Sequence, residues 1–178
     1  MSQLLYIAAS AFAGTVAACL YATQNTSKFR SASWNDLVMQ LQPLDARAIQ
    51  VLANDHLHPV KGQLQIEPYE MWEMIGGVEG LAKMRHNADI ICALAAYAER
   101  WNFNEAVIVT ERIRLEAHVV RRAVSRASRY GTMDPLNNAR APFFVFEAAT
   151  AYHLMRARLF ALYESSHQGL YPRLARAL

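Results

Sequence analysis

Two patterns of apolar residues divide this chain. From Leu4 to Ala22 it reads LLYIAASAFAGTVAACLYA, a run whose polar side chains are Ser10, Thr15 and the hydroxyl rims of Tyr6 and Tyr21. Beyond Ser31 the apolar positions return every three or four residues, interrupted by proline, glycine and asparagine. That spacing is helical, and no segment alternates with period two for long enough to suggest a sheet. The expected fold class is all-α: a single N-terminal transmembrane helix, then a bundle with three long antiparallel helices and two or three short ones.

The first run has the length of a membrane span. As a helix it would reach about 28 Å, close to the ~30 Å hydrocarbon core of a bilayer. The first charged side chains, Lys28 and Arg30, follow it. A secretory signal peptide needs a basic start, which Met1-Ser2-Gln3 does not supply, so a retained anchor is expected. The basic flank puts the following residues on the cytoplasmic side. The resulting division is an anchor over 1–27 and a cytoplasmic α-helical domain over 28–178, in a bacterial-type inner membrane with the N-terminus outside. Val16-Ala17-Ala18-Cys19 resembles a lipoprotein box, but the basic start is missing and apolar Leu20-Tyr21 follows the cysteine. A buried first helix of a soluble protein is the other alternative. Ser10, Gly14, Ala18 and Ala22 recur every four residues, a small-residue stripe through which another membrane helix, or a second copy, could approach; an Ala-rich helix also produces such a stripe by coincidence.

Within the domain, Ser33 and Asp36 have capping-box spacing and open a short helix to Gln42, stopped by Pro43. A second short helix covers 44–54, and 55–65, with Pro59 and Gly62, reads as a loop. Pro68 occupies a first helical turn, and the helix it opens ends at Gly76-Gly77. Three long helices follow: Val78–Trp101, apolar on two sides and therefore expected to be central; Glu105 to about Tyr130; and Pro142 to about Ser166. The tail from Gly169 reads as irregular. Short connections favour antiparallel neighbours.

Composition changes this picture little. The chain has 178 residues, of which 53% are hydrophobic, enough for one domain with a real core. Its two cysteines, Cys19 and Cys92, lie in apolar stretches and offer neither a disulfide framework nor a zinc site. Charge is uneven: residues 31–75 carry −4 and 76–178 carry +5. Much of that excess lies on one helix, where Arg114, Arg121, Arg122, Arg126 and Arg129 cover the arc opposite its apolar face. A solvated face explains them; attraction to anionic headgroups or an acidic partner is the functional reading. Nucleic acid is not expected, because no aromatic residues interleave with the arginines and no reader motif occurs.

Candidate chemistry is sparse. Asp55-His56-Leu57-His58 could place two imidazoles and a carboxylate on one ion, but no second cluster follows and a polar loop explains it. Glu164-x-x-His167 is half of a di-iron motif at a helix end. Gly76-Gly77-Val78-Glu79-Gly80 resembles a phosphate loop, yet a helix precedes it where a strand is required. No metal, cofactor or catalytic residue is therefore assigned. Glu116 falls among the apolar positions of its helix, and Arg158 and Glu147 share an edge of the last one. Since buried charges need partners, Glu116 is expected to meet Arg158 across the bundle with Glu147 nearby. The leading expectation is a membrane-anchored, non-enzymatic interaction module or accessory subunit of a membrane assembly. The rival is a small helical-bundle enzyme or ligand-binding protein, with a pocket lined by Trp101, Tyr152, Glu116, Glu147 and His153.

Overall fold

The computed structural model describes residues 32–100, 103–131 and 141–178, with side chains omitted at 103–105 and 130–131. Residues 34–178 cluster as one compact unit. Among the described residues there are seven helices and no strand: α1 Trp34–Met39, α2 Ala46–Leu57, α3 Pro68–Ile75, α4 Gly77–Glu99, α5 Phe103–Gly131, α6 Ala141–Ser166 and α7 Tyr171–Ala177. Also among the described residues, no helix is long and apolar enough to cross a membrane. The anchor expected over 4–22, with Ser10, Gly14, Ala18, Cys19 and Ala22, lies outside them.

Several boundaries differ from the sequence expectation for local reasons. Helix α1 ends three residues early, tightening through 3.2 Å bonds from Gln40 N to Leu37 O and from Leu41 N to Val38 O. Asp45 caps α2, its carboxylate accepting from the amides of Arg47 (2.9 Å) and Ala48 (3.0 Å). That helix runs through Asp55, His56 and Leu57, which the sequence reading places in a loop. The tail is not irregular: α7 forms with Pro172 in its first turn, where a missing amide costs nothing, and it buries Leu174.

The three long helices alternate in direction. Asp89 and Glu99 of α4 meet Arg121 and Arg114 of α5 in reversed order, and Glu116 and Arg122 of α5 meet Arg158 and Glu147 of α6 likewise. Helix α4 is packed from both sides as expected, burying Leu81, Met84, Ala88, Ile90, Ile91, Leu94, Ala95 and Ala98. The most enclosed helix is nevertheless α6, which packs against α2, α3, α4, α5 and α7. Its alanines at 148, 149 and 151 let neighbours approach, and its apolar residues point in nearly every direction.

A glycine corner and two hydrogen-bonded clusters hold the short helices to this core. Gly76, at φ 77°, turns the chain from α3 into α4 in the left-handed region. At Gly80 a side chain cannot fit, because a Cβ there would stand 1.6 Å from the carbonyl oxygen of Ile75. Asn87 of α4 reads the peptide of Gln42: its Oδ1 accepts from Gln42 N at 2.9 Å and its Nδ2 donates to Gln42 O at 2.7 Å. The same Nδ2 donates to the Tyr152 hydroxyl at 3.2 Å. Trp34 Nε1 donates to the Tyr163 hydroxyl, which donates to Leu94 O, both at 3.0 Å. These bonds fasten α1 and the extended residues after it onto α4 and α6.

Candidate functional site

The groups singled out from sequence meet along α5. At about 100° per residue, Arg114 and Arg121 project within about 20° of each other, whereas Arg122 and Arg126 lie about 100° further round. The first pair faces α4. Arg121 bonds Asp89 at 2.6 Å and Arg114 bonds Glu99 at 3.2 Å, with Glu111 on its other side. The second pair faces α6: Arg122 bonds Glu147 at 3.1 Å, and the Arg126 guanidinium lies 5.4 Å from the centre of the Phe144 ring. Arg129 is exposed and also engaged. The five arginines thus do not make one solvated stripe. The arc they share is wide enough for its two edges to reach two neighbouring helices.

Arg158 of α6 is ion-paired with Glu116 of α5, whose side chain is 15% exposed against 33% for the arginine. The pair sits at the edge of the helix seam, with Glu116 mostly enclosed and Arg158 one-third exposed. Burial, reinforced by the Arg112 charge, still pulls the Arg158 guanidinium below its ordinary range. Glu147 does not join it. Residues 147 and 158 lie on one helix eleven positions apart, a rise of about 16 Å, so Glu147 serves a separate pair with Arg122. In each acid one oxygen bonds its arginine while Oε2 is buried with no partner among the described residues.

Of the residues expected to line the rival pocket, the structure places Tyr152 apart from the two acids. Tyr152 is turned toward Asn87 of α4, whereas Glu147 and Glu116 occupy the α5–α6 seam; Trp101 lies outside the described residues. Burial raises the Tyr152 phenol despite the Asn87 bond.

The other sequence candidates have structural partners. Asp55 accepts from the backbone amides of Gln65 (3.0 Å) and Ile66 (3.2 Å), closing the loop after α2. The His56 Nδ1 lies 2.9 Å from the Thr150 hydroxyl, and its ring packs against Phe143 and Phe146. Among the described residues no three His, Cys, Asp or Glu side chains gather as a metal-ligand set. In the glycine corner, Glu79 bonds Lys83 at 2.7 Å. His167 packs on Tyr163, with its Nδ1 2.8 Å from the Ser166 hydroxyl. Burial pushes the Cys92 thiol up to about 11, against the opposing Arg121 charge, which suppresses the reactive thiolate at neutral pH.

Sequence reasoning missed Asp89, Glu99 and Asn87. The two acids carried a usable signal, since they lie on the helix preceding an arginine-rich one. Asn87 carried none, because its partner is a backbone peptide 45 positions away. No family model, curated protein or solved structure matches this chain.

Proposed function

We propose that this chain is a single-pass membrane protein whose helical domain acts as a non-enzymatic interaction module, an accessory subunit of an inner-membrane assembly, with the domain on the cytoplasmic side. The observation that carries this reading is the uncharged run from Leu4 to Ala22 followed by Lys28 and Arg30. Support for interaction comes from α5. Ile108 and Leu115 stand one heptad apart on its outer arc, 69% and 61% exposed, while the arginines around them are largely committed to neighbouring helices. Large apolar side chains left in water at helical spacing favour a covering partner.

Full-length protein should stay with membranes through carbonate extraction, and protease added outside the cell should leave the domain intact. A photo-crosslinker at Leu115 should join a defined membrane-assembly subunit or a second copy of the chain. Recovery of the full chain in the soluble fraction without detergent would overturn the tether. A domain digested from outside would reverse its orientation.

A further inference from the structure

Among the described residues four arginines are not exposed: Arg114, Arg121, Arg156 and Arg158. Three of them have a carboxylate, in Glu99, Asp89 and Glu116 respectively. Arg156 has none. Its Nε is buried and no described acceptor meets it, and its guanidinium rests 5.5 Å from the centre of the Phe160 ring. Phe160 is itself braced edge-on by Tyr171 of α7, at 6.0 Å and 81°. Among the described residues no carboxylate pairs with Arg156. Residues 1–31 contain no Asp or Glu. Arg156 also projects from the side of α6 roughly opposite Glu147 and Arg158, by the 100° helical rotation, and so points away from the acids of α5.

A partly buried cation without a partner is unfavourable. A guanidinium placed over an aromatic ring keeps N–H groups arranged as a planar fork suited to a carboxylate or phosphate. His153 lies one turn away on the same helix and feels the Arg156 charge, which adds to burial in holding its imidazole below the ordinary range. We infer that Arg156, backed by Phe160 and assisted by His153, is a receptor for the oxyanion of a small molecule or lipid headgroup, a phosphate or a carboxylate.

The test uses full-length protein in a neutral detergent, with inorganic phosphate and acetate as probes, followed by NMR of the arginine Nε–H and histidine ring signals. At least one probe should shift the Arg156 Nε–H resonance and move the His153 titration to higher pH, since the bound anion offsets the arginine charge. Arg156→Gln should weaken that binding about tenfold or more, and Arg156→Lys should retain part of it. Arg47→Gln, at an exposed site, should leave it unchanged. Transfer into nanodiscs containing phosphatidylglycerol, with no added anion, should reproduce the shifts if a headgroup is the source; nanodiscs of phosphatidylcholine and free phosphate separate the soluble source. Neither probe moving Arg156, or equal binding by folded Arg156→Gln protein, would overturn the proposal.

Discussion

At the scale of single residues, four ion pairs tie the long helices of this domain to one another. Glu116 and Arg158 illustrate the magnitude. A fully buried pair would cost about 3–5 kcal/mol on loss of one partner. With Arg158 one-third exposed, water can take up the orphaned guanidinium, so Glu116→Ala should cost only about 1–2 kcal/mol. Replacing both residues with leucine should recover much of that loss, because both desolvation costs vanish together. Urea denaturation of the two single variants and the double variant measures this cycle. A Glu116→Ala midpoint equal to wild type would mean that the pair contributes nothing to folding. The side-chain wheel of α5 was enough to locate Glu116 on the inner side. It could not locate Glu147 relative to Arg158, since that requires the rise along α6 and the position of α5 beside it.

At the scale of elements, the corner between α3 and α4 depends on atoms a sequence motif does not display. Gly76 is needed for its left-handed φ, a familiar end signal for a helix. Gly80 is needed for a different reason, the approach of the Ile75 carbonyl. Gly80→Ala should therefore push α3 off α4 and destabilise the domain by about 2–3 kcal/mol or more, in spite of alanine's better helix propensity. Thermal melting of the variant checks this, and an increase in melting temperature would contradict the packing at that corner. The same glycine cluster resembles a phosphate loop in sequence. Its placement after a helix, and the Glu79–Lys83 bond, leave it a structural turn.

For the whole molecule, burial couples folding to pH. Cys92 titrates near 11 in the fold against an ordinary value of 9.0, and burial raises Tyr163 as well. The unfolded chain releases these protons first, so the native state holds more of them between the two values. The stability contribution is full below about pH 9 and is lost as pH rises through about 11. Urea midpoints measured across this range should fall, and Cys92→Ala should fall less steeply; identical slopes would remove the thiol from the account. The all-α class, the three long helices and their alternation were determined by sequence alone, because helical periodicity, proline and glycine act within a few residues. The uncharged first run is equally a sequence property. The pair Glu116–Arg158 follows from the helical wheel, whereas tertiary structure alone decided the other three, Arg121 with Asp89, Arg114 with Glu99 and Arg122 with Glu147. Arg156 and Arg158 are the same residue two positions apart, yet helical rotation turns one onto Glu116 and the other onto Phe160. Arg158 has its acid because packing across the bundle brings α5 to that side of α6, whereas Arg156 rests on Phe160 one turn further along α6 itself.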